Sequence, residues 1–277
     1  IPGADHAGFE TWVVYERHLE KLGESRFDYS REELYRKTWD FVAANRGNME
    51  VQIRAMGASC DWSKLVFTLD ESVVKTAYKT FKRMWDDQLI YRGERIVNYC
   101  TKHDTSFADI EVEYKDEKSF LWTIAFPLVD GTDFIEIATT RPETMIGDVA
   151  VAVNPGDTRY AGFIGKEIAL PLTNRKIPII ADEMVEMEFG TGAVKITPAH
   201  DPNDFEVAER HKELQRISVI GFDGRLNENA PEKYRGLDVL EARRIILDDL
   251  KELNLLTEVT DYVHSVGHCY KCGTQIQ

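Results

Sequence analysis

The chain has 277 residues, 43% of them hydrophobic, and a formal net charge of −14. That hydrophobic content supports a buried core and argues against disorder, with room for one large domain or two smaller ones. The acidic balance repels polyanions, so a generic nucleic-acid binder is disfavoured and any RNA contact must come from local basic clusters or from protein outside these residues. No apolar run approaches the length needed to cross a bilayer, and the first residues carry neither a basic leader nor an apolar signal segment. The expectation is a cytoplasmic protein with no membrane partner.

Residues 9–95 read as helical. Ser30 followed by Glu33 and Thr68 followed by Glu71 are capping-box patterns, and Val74, Ala77, Phe81, Met84 and Trp85 recur at the spacing of one helix face, which predicts a packed helical layer. From about Arg95 the pattern changes to short apolar runs, FLWTIAFPL, FIEIATT, VAVAV, KIPIIA and GAVKIT, separated by Gly, Asp, Asn and Pro. These predict a small β-rich, barrel-like domain. Helices are expected to interrupt it at about 203–214 and 240–253. The fold class expected is therefore α/β (α+β).

Four cysteines are too few for a disulfide scaffold. Cys269 and Cys272 form a CxxC knuckle, with Gly273 permitting its turn, and Cys100 and His103 repeat the three-residue offset far upstream. Together they offer a Cys₃His set for a structural metal, since four protein ligands leave no open position for water; the alternative is reduced, empty cysteines with His103 on the surface. Cys60 has no partner spacing and reads as a small buried residue.

Two segments carry the chemistry. Residues 138–155, ATTRPETMIGDVAVAVNP, place a cation and several hydroxyls beside a strand; read alone, Pro142 ends that strand and the threonines satisfy a turn. Residues 189–211, FGTGAVKITPAHDPNDFEVAERH, put Lys195 and Thr197 on one face of a strand, because side chains two apart point the same way. Asp201, Pro202 and Asp204 then form a favourable helix start in their own right. No Ser-His-Asp or Cys-His nucleophile set is present, and neither His200 nor His211 has a spacing that marks it as a base.

Together these segments resemble the hydrolytic editing domain of the valyl branch of the class I aminoacyl-tRNA synthetases. TTRPET matches that branch better than the isoleucyl or leucyl forms, whose specificity is one alternative. The resemblance extends from IPGADHAG to GHCYKCGT and implies a partial, helical margin of a Rossmann-type catalytic domain (1–95), an outgoing linker with half a zinc site (96–115), the editing domain (116–262) and a return linker with the zinc knuckle (263–277). It implies that Arg141 and Thr144 line a pocket with Thr139 and Thr140 as its floor. By the same resemblance Asp204 holds the substrate's α-ammonium, and Lys195, Thr197 and Asp201, with Phe189, form the substrate-binding wall.

Related synthetases often carry CxxC where Cys100 and His103 stand, so His103 resembles a ligand replacement and zinc the metal. The ATP signatures of the intact family are missing from these residues, so the implied reaction is deacylation of threonine from tRNA(Val) by a monomer, with ATP used only by the parent enzyme. A zinc-stabilised module that docks the tRNA acceptor end without cleavage is the rival reading. Asp5 and His6, in the IPGADHAG remnant, are expected to be a frayed terminus without function.

Overall fold

In the computed structural model, which describes residues 1–277 apart from the side chain of Phe9, the N-terminus is paired, not frayed. Strand β1 (Gly3–Ala4) lies parallel to β2 (Val66–Phe67), and the His6 amide donates to Thr68 Oγ1 at 2.9 Å. That contact takes the Thr68 hydroxyl away from the expected capping box. Helix α1 (Gly8–Leu22) ends on Gly23 at φ 76°, whose amide turns back to the carbonyls of Leu19 and Glu20. The Ser30–Glu33 capping box does form and starts α2 (Arg31–Ala55), while α3 (Glu71–Asp86) begins after Asp70. The first unit, Ile1–Gly93, buries Val13, Tyr15, Leu19 and Phe67. The apolar face predicted on α3 is real as a pattern but has no covering layer among the described residues, since Phe81 and Trp85 are exposed. Cys60 is likewise exposed, because it lies in the loop after α2 and not on a packed face.

The second unit, Glu94–Gln277, opens with a hairpin, β3 (Asn98–Cys100) and β4 (Thr105–Phe107). Strand β5 (Val112–Pro127) then enters the core. Its first half is an exposed ribbon and its second half buries Trp122, Ile124 and Phe126. Strand β6 (Phe134–Thr139) alternates, with Ile135, Ile137 and Thr139 inward. All of β7 (Ala150–Val153) is buried, as a central strand covered on both faces must be. Strands β8 (Glu167–Ala169), β9 (Lys176–Ala181) and β10 (Ala193–Ile196) complete a sheet of order β10-β7-β9-β8, in which β7 and β9 run parallel.

Helix α4 (Pro202–Arg210) is four residues shorter than predicted at its C-terminus. Helix α5 (Val239–Glu252) buries Val239, Ala242, Ile246 and Leu250, one face at helical spacing; each larger side chain contributes about 1.5–3 kcal/mol as an upper bound. Strand β11 (Leu256–Cys269) returns antiparallel along β5, giving a second sheet of order β11-β5-β6. The chain is thus mixed α/β, with every predicted strand run present. The barrel-like closure is not reached among the described residues: the two sheets meet through a single bridge, Leu128 to Ile168, and no ladder closes them. No helix is long and apolar enough to cross a membrane.

Candidate functional site

A cavity of about 550 Å³ opens in the second unit. Thr139, Thr140, Arg141, Thr144, Phe189, Lys195, Thr197, Asp201 and Asp204 all line it, so the structure brings every predicted pocket residue together. The sheet order explains how. Strand β6 delivers the threonines at its C-terminal end, a buried 3-10 turn (Pro142–Gly147) carries Thr144, and β10 runs out through Lys195 to the cap of α4. Gly192, at φ +77°, allows the approach to β10: a Cβ there would meet the Arg159 guanidinium and stand 2.8 Å from the Met187 carbonyl.

Lys195 sits at the centre. Its ammonium donates to Thr197 Oγ1 at 2.5 Å, to Thr144 Oγ1 at 3.0 Å and, more weakly, to Asp148 Oδ1 at 3.4 Å. Thr197 donates its own hydrogen to Asp148 Oδ1 at 2.7 Å, and Thr144 donates its hydrogen to the Arg141 carbonyl at 3.0 Å. Three lysine protons and two hydroxyl protons are therefore all committed within the protein. Both hydroxyls have only lone pairs left to offer a ligand.

Asp148 was not singled out from the sequence. It lies within the first motif but reads there as a turn residue between a buried 3-10 turn and β7. It has no exposed surface, and its Oδ2 has no hydrogen-bond partner. Burial pushes its carboxyl up to about 6, with the Lys195 charge opposing the rise.

Asp201 is the cap predicted for α4: its Oδ1 accepts from the amides of Asn203 at 2.8 Å and Asp204 at 3.3 Å. Asp204 is 5% exposed and accepts from the Thr197 amide at 2.8 Å. Burial pushes its carboxyl up to about 7; the Lys195 charge pulls it down, while Asp201 and Asp148 add to the rise. A carboxylate poised there is responsive to a cation entering the cavity.

His200 accepts the Val219 amide at Nε2, 2.9 Å, and burial, with Arg141 and Lys195 adding to it, holds the ring down to about 3. It is neutral and its Nε2 is occupied, in keeping with a packing role. His211 pairs with Asp182 and does not line the cavity. Arg141 donates to the His200 carbonyl at 3.1 Å and to Gln277 Oε1 at 2.7 Å.

Cys100, His103, Cys269 and Cys272 converge, all four ligand atoms lying within 4.8 Å of one another. The β3–β4 hairpin supplies the first pair, and the turn after β11 the second; there Gly273, at φ +69°, returns its amide to the Cys269 carbonyl at 2.8 Å. Cys100 Sγ stands 3.6 Å from Cys272 Sγ and 3.5 Å from His103 Nδ1, and Cys269 Sγ stands 3.7 Å from that nitrogen. Metal–sulfur and metal–nitrogen bonds of about 2.3 and 2.0 Å give tetrahedral edges of roughly 3.5–3.8 Å, so the donor set fits such an ion.

A mixed α/β fold thus carries both this polar cavity and this Cys/His cluster. The family model of the class I tRNA synthetases (I, L, M and V) matches residues 1–258, and the chain belongs to that family. It is 48% identical over its whole length to the Valine–tRNA ligase of Dehalococcoides mccartyi and 50% identical to that of Carboxydothermus hydrogenoformans. The chain spans 31% of the length of each of these curated relatives. The Valine–tRNA ligase of Aquifex aeolicus is 49% identical, with 25% of its length covered.

Proposed function

We propose that the chain hydrolyses the ester of threonine wrongly attached to tRNA(Val), as the editing part of a valine–tRNA ligase whose ATP-dependent synthesis lies with the intact enzyme. Residues 116–262 are then the editing domain, held by the strands of 96–115 and 263–277, with 1–95 a margin of the catalytic domain. The observation that carries this reading is the spent hydrogens of Thr144 and Thr197. Two hydroxyls with only acceptor capacity left, beside the Asp204 carboxyl, suit a ligand that brings donors, and a threonyl ester brings two, its hydroxyl and its α-ammonium.

The need for such a site is general, and valyl enzymes are themselves the standard illustration: an apolar valine pocket rejects isosteric threonine by only about 10². An acceptor-lined site inverts the preference, because valine puts a methyl group where the acceptors want a hydrogen and leaves them unpaired. Asp204 takes the ammonium and thereby fixes the ester, Thr139 and Thr140 form the floor, and Phe189 borders the opening. The ester is already activated, so a positioned water suffices as nucleophile: it adds to the carbonyl carbon, loses a proton, and the ribose oxygen leaves with one. Orientation alone contributes up to roughly 7–11 kcal/mol in well-ordered cases.

Incubating the chain with threonyl- and valyl-tRNA(Val) tests the assignment. Threonine is expected to be released faster by about 10- to 100-fold, the worth of one unpaired buried acceptor. Equal rates would remove the hydroxyl-reading role of the wall formed by Thr197 and Asp201, with Lys195 orienting the hydroxyls of Thr144 and Thr197, and no release of either amino acid would favour a docking module.

The metal is read as zinc in a structural role, with Cys100, His103, Cys269 and Cys272 as ligands that tie the outgoing strands to the returning one. Elemental analysis of undialysed protein is expected to find about one zinc per chain. Absence of metal together with four freely titrating thiols would overturn it.

A further inference from the structure

The turn that carries Thr144, with Arg141 at its head, is fastened from outside the cavity. Glu143 has no exposed surface, and a carboxylate so buried persists only when its charge is matched and its lone pairs are used. Arg243, on α5, supplies both: Nε donates to Oε2 at 2.7 Å and Nη2 to Oε1 at 2.8 Å, a planar two-point pairing that lysine does not make. Its guanidinium also lies 5.8 Å from the centre of the Trp122 ring. Arg141 approaches the same carboxylate, with Nε 3.5 Å from Oε1. That Nε is buried and makes no hydrogen bond, so Glu143 acts on Arg141 through charge.

Two cations, Arg141 and Lys195, line one cavity and repel one another. Asp148 stands against the second, and Glu143 against the first. Neither Glu143 nor Arg243 lines the cavity. We infer that Glu143 and Arg243 are a positioning pair, which holds the turn of Pro142–Gly147 and keeps the Arg141 guanidinium in the wall that faces the substrate. The inference rests on the proposed deacylation for its kinetic meaning, while the placement of Arg141 is a separate, directly measurable consequence.

The test uses the double variant Glu143→Gln with Arg243→Met, which removes both buried charges at once and so avoids leaving one unpaired. It is expected to melt within about 5 °C of the parent chain. Its kcat for threonine release should fall at least about tenfold with KM within about twofold, the signature of lost aim and not of lost binding. In parallel, the Arg141 Nε–H resonance, identified by its loss in Arg141→Lys, should be sharp in the parent and averaged in the double variant. Unchanged kcat with an unchanged resonance would overturn the inference. If the parent chain releases no threonine, the deacylase reading fails, and the resonance alone decides the positioning role. Should the double variant not fold, Arg243→Lys takes its place. It keeps the charge without the two-point bond, and full activity with an unaltered resonance there would equally overturn the inference.

Discussion

Asp204→Asn is expected to slow threonine release by at least about 10²-fold while making the fold more stable above pH 7. On the proposed deacylation, asparagine keeps the acceptor for the Thr197 amide but gives up the charge that would draw and aim the α-ammonium. The gain in stability follows from linkage. In the folded chain burial raises the Asp204 carboxyl to about 7 from 3.8, so between those values the folded state holds a proton that the unfolded state has released. Folding is therefore favoured below about pH 4, and that contribution is lost as pH rises through 7, by an upper limit on the order of 4 kcal/mol.

Asparagine has no such slope. The helix-dipole contribution of an ionised Asp204, about 0.3–1 kcal/mol, exists only where the carboxyl is charged, and at pH 8 the relief outweighs it; at pH 4 the folded carboxyl is neutral and the substitution should change stability little. Melts at the two pH values beside the deacylation assay check both halves. A variant that is active, or that is less stable than the parent at pH 8, would return Asp204 to a plain helix-start role. In the parent, kcat/KM should rise with pH through about 7, since the ionised carboxylate of the empty cavity is the form that receives the ammonium.

Lys195→Met is expected to be the most damaging single change to stability. It leaves the carboxylate of Asp148, which has no exposed surface, without the ammonium 3.4 Å away, and strips a donor from both Thr144 and Thr197. Removing one partner of a buried pair costs about 3–5 kcal/mol. Freed of Lys195, the Asp148 carboxyl moves further up from about 6, so the loss should be full at pH 8 and should shrink as Asp148 takes a proton at lower pH. Adding Asp148→Asn should restore most of the melting temperature, because the uncompensated charge is gone. It should not restore the preference for threonine, because the hydroxyls now face one another without the donor that fixed them. A double variant that regains discrimination would show that Lys195 serves the fold alone.

The candidate site was legible where the chain is local. Threonines at the end of β6, Lys195 and Thr197 two apart, and Asp201 before Pro202 are relations among near neighbours, and backbone geometry alone brings them to one side. The Cys/His cluster was legible for a similar reason, since each of its two pairs lies within one turn and only their meeting required the fold. Asp148 escaped notice because nothing in GDVAV marks the aspartate as anything but a turn residue. Its importance comes from Lys195 on the neighbouring strand β10 and from Thr197 just after that strand.

The first unit shows the opposite limit: periodicity identifies the apolar face of α3, yet Phe81 and Trp85 are exposed, because a pattern says which side wants a partner and not whether one is there. The amino-acid sequence by itself determined the strand runs and the caps at Ser30 and Asp201, which depend on short-range sterics and spacing, while the family and the cavity residues were legible through the resemblance of its two motifs to known enzymes. Only the tertiary structure decided that two sheets meet without closing, that Glu143 finds Arg243 on α5, and that Asp204 is buried deeply enough to hold its proton to about pH 7. Those outcomes depend on packing between distant segments and on the solvent it excludes, and desolvation is a property of the folded surroundings that no run of neighbouring residues encodes.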